Sequence, residues 1–177
     1  MIRKQTGFSM IELLVSVVIM SIGVLGMAGL QIVSIQQNRS ALLQGEATLL
    51  ANDIIDRIRA NPDTNYAAAL DDTPSPTTNC VGSACTEAEM AAYDIAQWQC
   101  SINSFAADET THPVCATFGI EGALPGAFCT NVTDACAGGS ITLTSGVYEV
   151  SVQWTDQQAV DNAGGTVRSV SFNMRAP

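Results

Sequence analysis

The feature that most constrains this chain is an apolar run near its beginning that contains one acidic residue. A short basic leader ends at Gly7, and apolar residues then extend to about Ile35. Glu12 lies inside this run, where a carboxylate costs about 2.5–3.5 kcal/mol on translocon-derived scales and therefore needs a partner. If the chain is cut after Gly7, the new amine on Phe8 lies about one helical turn from Glu12. That amine can pair with Glu12 of a neighbouring copy, which predicts a polymerising segment.

The residues around this glutamate resemble a known processing signal. Residues 7–14, Gly-Phe-Ser-Met-Ile-Glu-Leu-Leu, resemble the type III signal sequence of type IV pilins and type II secretion pseudopilins. In that family a prepilin peptidase cuts after the glycine and methylates the new first residue. The resemblance implies cleavage between Gly7 and Phe8, N-methylation of Phe8 and an assembly role for Glu12 in docking.

Two further stretches, residues 21–31 and 51–61, resemble the PilV minor pilins, also called pilus modification proteins. The resemblance covers the first 61 residues well and the rest only in general shape. It implies a minor pilin in a tip or priming complex with other minor pilins, the major pilin and a large tip adhesin. Pilus assembly, twitching motility and adhesion would depend on it.

Several other readings of the sequence stay open. Arg3, Lys4, the apolar run and the small residues before Gly29 are compatible with a secretory signal peptide. An ordinary single-span anchor also fits, because the run exceeds the ~20 residues needed to cross a bilayer. Both leave Glu12 unexplained. A minor pseudopilin of type II secretion shares nearly every feature, and a membrane-anchored periplasmic binding module is the alternative from another class.

The charge distribution indicates an exported protein. Arg3 and Lys4 precede the span, which places the leader in the cytoplasm and the bulk of the chain in the periplasm. We expect the uncut protein in the inner membrane, in contact with lipid, and the assembled protein at the cell surface. Removal of the leader lowers the formal net charge from −10 to −12 and leaves no lysine. General nucleic-acid binding is therefore not expected, since it depends on Lys and Arg neutralising phosphates.

The six cysteines all lie in the expected periplasmic part, which favours disulfides. They allow 15 pairings, among which sequence alone does not choose. Loop length favours Cys80–Cys85 and Cys129–Cys136, which leaves Cys100–Cys115. The alternative, a zinc cluster, lacks a CxxC pair and has only one histidine, His112, available.

One long helix is predicted from about Phe8 to Ala60, where Asn61-Pro62 ends it. Beyond the span its apolar residues recur with helical spacing, and we expect this stripe to pack on a globular head: Ile32, Ile35, Leu42, Leu43, Leu49, Leu50, Ile54, Ile55 and Ile58. Glycines at 23, 26 and 29 indicate either close helix packing or a softened segment.

The rest of the chain predicts a small α+β head. After a loop over 62–85, Thr86-Glu-Ala-Glu89 is a capping box that opens a second helix to about Cys100. We expect its apolar side chains to be buried core contacts and not a ligand site: Tyr93, Ala96, Trp98 and Ile102.

Strands are predicted where apolar and polar residues alternate. Residues 148–154 and 170–174 show this pattern and flank a turn signal at 161–165, so an antiparallel hairpin is expected. Segments 141–143 and 114–118 are predicted as further strands.

These elements predict an α+β pilin fold, with a long N-terminal helix packed on a small antiparallel sheet and a disulfide-stapled head. The domain division is a leader at 1–7, a transmembrane and assembly half at 8–35, an amphipathic half at 36–61 and a head at 62–177. No nucleophile–His–acid set, phosphate loop or metal-ligand spacing is present in the sequence. We therefore expect neither enzymatic activity nor a cofactor.

Overall fold

The computed structural model describes residues 7–76, 78–104, 111–129, 136–156 and 166–177. The chain divides into two compact units, Met1–Arg39 and Ser40–Pro177. Its described elements follow in the order α1 (Met10–Ala60), α2 (Glu87–Ile102), α3 (Pro113–Phe118), β1 (Ala127–Phe128), β2 (Cys136–Thr144), β3 (Val147–Asp156) and β4 (Thr166–Arg175). A long N-terminal helix and a small, mainly antiparallel sheet confirm the α+β class.

The first unit consists mainly of the N-terminal part of α1. The helix is long and apolar enough to cross a membrane by length and composition, and none of its apolar window is buried. The large apolar side chains from Phe8 to Ile35 are 49–84% exposed. The backbone stays helical through the glycines at 23, 26 and 29, and a Cβ at each would meet open space. This surface therefore needs lipid or other chains to cover it.

The second unit begins within α1, whose last turns supply part of the core. Its buried residues share one helical face: Ala47, Ala51, Ile54, Ile55 and Ile58. Leu43 and Leu50 pack at the edge of this face. The predicted stripe was wrong for Leu42 and Leu49, which are 70% and 66% exposed. At 100° per residue around the helix axis, these leucines lie about 160–180° from Ala51, on the opposite face of the helix.

The predicted stripe was also wrong for Ile32 and Ile35, which belong to the exposed first unit. The small Ala47 and Ala51 take the core-facing positions instead, both with 0% exposure. The end of α1 at Ala60, directly before Asn61-Pro62, is as predicted.

Helix α2 starts at the predicted capping box. Thr86 Oγ1 accepts a hydrogen bond from Glu89 N at 3.3 Å, and a Glu89 carboxylate oxygen accepts one from Thr86 N at 2.9 Å. The four apolar residues predicted to be buried are 0–7% exposed: Tyr93, Ala96, Trp98 and Ile102. Trp98 also donates from Nε1 to Leu50 O at 2.8 Å, which fixes α2 against α1.

The sheet has the order β1-β2-β3-β4 among the described strands. The predicted hairpin of β3 and β4 is antiparallel, with Val150 opposite Phe172. The predicted strand at 141–143 is part of β2, which pairs antiparallel with β3. These two strands join through Ser145 and Gly146, both at positive φ, as a two-residue type I′ turn requires. The predicted turn at 161–165 lies outside the described residues.

Alternation along β3 sets which side chains enter the core. Four residues predicted to be buried are 0–3% exposed: Tyr148, Val150, Val152 and Trp154. Gly139 on the neighbouring strand lets α2 approach β2 closely. A Cβ at Gly139 would lie 2.4 Å from Trp98 Cη2 and 2.5 Å from Ile102 Cδ1.

The prediction of a strand at 114–118 was wrong, because these residues form α3. Three local features favour a helix there. The His112 side chain caps its start, Pro113 occupies the first turn, and Gly119 ends it in the left-handed region at φ 64°. Cys115 holds this helix to α2 by its disulfide to Cys100.

Three disulfides staple the second unit: Cys80–Cys85, Cys100–Cys115 and Cys129–Cys136. Loop length favours the first and third of these pairs, and the second is the pair that then remains. The first closes a loop before α2, the second joins α2 to α3, and the third spans the entry to β2. β1, which the sequence does not predict, pairs with β2 in parallel through Ala127–Cys136 and Phe128–Ala137.

Candidate processing and assembly site

The proposed processing residues lie together immediately before α1. Gly7, Phe8 and Ser9 have no regular secondary structure, and α1 begins at Met10. Phe8 is 84% exposed, and a Cβ at Gly7 would meet nothing within 4 Å. The bond between Gly7 and Phe8 is therefore in an irregular, accessible segment, which is the form of chain that a protease can bind.

Glu12 lies in the first turn of α1, which begins at Met10. The Ser9 carbonyl starts the helix by accepting hydrogen bonds from Glu12 N at 3.1 Å and Leu13 N at 3.3 Å. A negative charge in this turn interacts favourably with the positive end of the helix dipole. Among the described residues of this single chain, Glu12 has no ion-pair partner. Its carboxylate is thus available to a cation from another chain.

Phe8 itself is not helical in the uncut chain, so its nitrogen is not positioned against Glu12 by helix geometry. Met10 and Ile11 between them are exposed by 84% and 67%. Arg3 and Lys4 lie outside the described residues. Among the described residues, the arrangement places an accessible Gly7–Phe8 bond four residues before an acid without an ion-pair partner, on a helix with an apolar surface.

These features define a class of protein, namely a helix-plus-head subunit whose N-terminal helix is built for contact with lipid or with other subunits. Residues 29–96 match the family model of the type IV pilin Tt1218, and residues 2–28 match the model of the prokaryotic N-terminal methylation motif. Neither a curated protein nor a solved structure matches the chain. The two family matches show a type IV pilin with an N-terminal methylation motif, and the fold agrees with them.

The family assignment carries consequences at a coarse level. A methylation motif implies processing by a prepilin peptidase and assembly with other pilins. The exposed apolar helix fits membrane anchoring before assembly. Type IV pilins are structural and not catalytic proteins. Among the described residues, no group of three His, Cys, Asp or Glu side chains is placed to hold a metal ion.

The second unit contains a polar network that the sequence alone did not predict. Arg57 donates to Asp53 at 3.0 Å, to Asp94 at 2.9 Å and to Gln97 Oε1 at 2.6 Å. Tyr66 donates to the other Asp94 oxygen at 2.9 Å. Only the Asp53–Arg57 pair has a local signal, because four-residue spacing brings the two side chains together on a helix. The Arg57–Asp94 contact joins residues 37 positions apart.

Burial of Tyr66 in this network changes its ionisation. Its side chain is fully buried, and desolvation, the largest cause, raises the pKa of Tyr66 from 10.0 to about 12. The neighbouring Asp94 acts in the same direction, whereas the hydrogen bond from Asn61 lowers the pKa. The hydroxyl therefore stays protonated and ties the end of α1, the following loop and α2 together.

Proposed function

We propose that the chain is a minor pilin of a type IV pilus, cut between Gly7 and Phe8 and N-methylated on Phe8. The observation that carries the proposal is a methylation motif at residues 2–28 that directly precedes a pilin match beginning at residue 29. The exposed glutamate in the first helical turn supports it, because an unpaired acid in an apolar segment needs a cation from a partner. The methylated amine of Phe8 on a neighbouring subunit would supply that cation.

The proposal divides the chain by role. Residues 1–7 are the leader, residues 8–35 insert in the inner membrane and later in the fibre, residues 36–61 connect to the head, and residues 62–177 form the head. The head is periplasmic before assembly and lies in the surface pilus afterwards. Its disulfides support this location, since they persist in oxidising compartments.

The finer identity follows the resemblance of residues 21–31 and 51–61 to the PilV minor pilins. We propose a place in the tip or priming complex with other minor pilins, the major pilin and a large tip adhesin. Pilus assembly, twitching motility and adhesion are the expected outputs. A minor pseudopilin of a type II secretion system is the competing function within the same class.

Glu12→Gln tests the assembly role because it removes the charge and preserves the size of the side chain. We expect a stable, processed protein, a loss of surface pili and a loss of twitching in a strain that carries only the variant. Glu46→Gln, further along α1 and outside the apolar run, is the matched control and should behave as wild type. Normal piliation with Glu12→Gln would refute the role in pilus assembly. Loss of type II secretion with intact pili would favour the pseudopilin.

The mass of the membrane-purified chain tests processing separately. The expected product begins at N-methylated Phe8 and shows six thiols only after reduction. A chain that begins at Gly29 would identify an ordinary signal peptide. An uncut chain in a host with active prepilin peptidase would identify a plain membrane anchor.

A further inference from the structure

The head has a concave surface that its predicted role in assembly does not use. It is a cleft of about 700 Å³ between the Cys80–Cys85 loop, α2 and α3. Its size lies within the range of small-ligand sites in proteins, roughly 300–1,000 Å³. We name it the α2–α3 cleft and define it by six of its lining residues: Thr78, Asn79, Tyr93, Gln97, Thr117 and Phe118. We propose that this cleft binds a neutral saccharide.

The first argument concerns the burial of Tyr93 and the hydrogen bonding of its hydroxyl. The residue is buried, with 7% of its surface exposed, and its ring packs edge-on against Phe118 with centroids 5.2 Å apart. Yet among the described residues no group forms a hydrogen bond with the Tyr93 hydroxyl, and Tyr93 is one of the residues that line the cleft. Buried tyrosines usually pair their hydroxyl. This one is held by its ring contact in the wall of an open cleft, where a ligand can supply the partner.

The second argument is that two amide side chains present donors there. Gln97 Oε1 accepts from Arg57 at 2.6 Å, and Arg57 can only donate, so the Gln97 oxygen faces the guanidinium and its NH₂ group remains available. Asn79 Oδ1 accepts from Val81 N at 3.0 Å, which leaves the Asn79 NH₂ group available in the same way. The protein thus fixes the orientation of both amides before any ligand arrives.

The third argument is that two threonine hydroxyl groups of the cleft are held as acceptors. Thr78 Oγ1 donates its proton to Glu89 at 2.8 Å, and Thr117 Oγ1 donates its proton to Val114 O at 2.6 Å. Each oxygen therefore has lone pairs for a ligand donor. A ligand that donates and accepts at neighbouring positions fits this mixture, and the hydroxyl groups of a sugar do both.

Charge narrows the ligand class further. None of the described residues that line the cleft is charged, although the chain carries 17 acidic residues and a net charge of −10. An anionic sugar would find no cation there and would be repelled by the acidic protein. Val81 at the rim is 82% exposed and Phe118 is partly exposed, so apolar surface is available for the C–H face of a sugar ring.

The test uses the full processed chain in lipid nanodiscs, which avoids sugar-based detergents. Lactose, maltose and cellobiose are titrated separately and followed by calorimetry and by saturation-transfer NMR. We expect saturable binding of at least one of these neutral disaccharides. Sialyllactose, which adds a carboxylate to lactose, should bind more weakly than lactose.

Two variants place the binding in the cleft. Gln97→Glu keeps an acceptor for Arg57 but replaces the donor NH₂ by an oxygen, and we expect affinity to fall about tenfold, the effect of leaving one ligand group unpaired. Asn79→Asp applies the same change at an exposed residue outside helices and strands, so it tests the cleft even if Gln97→Glu does not fold. Gln44→Glu, on α1 and away from the cleft, is the charge-matched control and should bind as wild type.

Three results would overturn the proposal. The first is that none of the three disaccharides binds. The second is that wild type, Gln97→Glu and Asn79→Asp bind with equal affinity. The third is that a neutral proline-containing peptide saturates the cleft while the disaccharides do not, which would make it a peptide site. Because the assay measures binding to one subunit, its outcome does not depend on pilus assembly.

Discussion

Gly139→Ala tests how closely β2 packs on α2. The added Cβ would lie 2.4 Å from Trp98 Cη2, 2.8 Å from Trp98 Cζ3 and 2.5 Å from Ile102 Cδ1. Real Cβ atoms do not approach other heavy atoms this closely, so Trp98 and Ile102 must move. Both side chains are fully buried, and dense interiors leave no free space into which they can move.

The expected cost has two parts. Overpacking a well-filled core costs about 1–3 kcal/mol. Displacement of Trp98 also weakens its 2.8 Å hydrogen bond to Leu50 O, and loss of a buried bond of this kind costs about 1 kcal/mol or more. We therefore expect the free energy of unfolding of the head to fall by about 2–4 kcal/mol.

Urea unfolding of the full chain in micelles, followed by tryptophan fluorescence, measures this loss. Both tryptophans, Trp98 and Trp154, are buried in the second unit, so the signal reports on the head. Gly45→Ala is the matched control: Gly45 lies on the exposed side of α1 with open space around it, and alanine there should stabilise by up to about 1 kcal/mol. The same chemical change should thus have opposite signs at the two glycines.

A double-mutant cycle locates the clash. Trp98→Phe removes both tryptophan atoms that the new Cβ would strike, so Gly139→Ala should cost less in that background. An equal cost in both backgrounds would show that Trp98 does not carry the effect. A neutral or stabilising Gly139→Ala in the wild-type chain would refute the packing argument altogether.

Two further predictions concern the polar network and the disulfides. The pKa of Tyr66 is higher in the folded chain than its ordinary value of 10.0, so its contribution to stability is complete below pH 10 and is lost as the pH rises through about 12. Tyr66→Phe should remove this pH-dependent component, which is on the order of 3 kcal/mol. Unfolding of both forms as a function of pH measures it, and parallel stability curves between pH 9 and pH 12 would contradict it. Replacing Cys100 and Cys115 together by alanine should destabilise the head by about 3 kcal/mol, because their disulfide closes a loop with a separation of 15 residues. Replacing Cys80 and Cys85 should destabilise it less, because their separation is only 5 residues. Thermal unfolding of the two double variants tests the order.

Local patterns explain which parts of the fold could be predicted. Neighbouring residues alone set three of the predicted features: the capping box at Thr86–Glu89, the alternation of β3 and the end of α1 before Pro62. The prediction of a strand at 114–118 was wrong because two boundary signals there favour a helix. Those signals were Pro113 in the first turn and Gly119 after the last residue, and they favour a short helix.

Non-local contacts account for the rest. Nothing near Ala47 or Ala51 in the sequence shows that these alanines, and not Leu42 or Leu49, face the core. That choice follows from which side of α1 the head packs against. The candidate processing site could be proposed from the sequence because its residues lie within a dozen consecutive positions. The α2–α3 cleft could not be predicted, since its walls come from segments separated by up to about 40 residues, and the Cys100–Cys115 disulfide joins two of them.

The distribution of exposed apolar surface implies that assembly and folding can be altered separately. The first unit exposes its large apolar side chains, and none of them belongs to the buried core cluster of the described residues. The core cluster draws instead on residues from Ala47 onwards. Glu12→Gln should therefore abolish piliation and leave urea unfolding of the head unchanged. Gly139→Ala should lower the stability of the head and leave piliation intact at a permissive temperature. If Glu12→Gln also lowered the stability of the isolated subunit, the glutamate would have a role within its own chain. The argument that its carboxylate is reserved for a partner subunit would then fail.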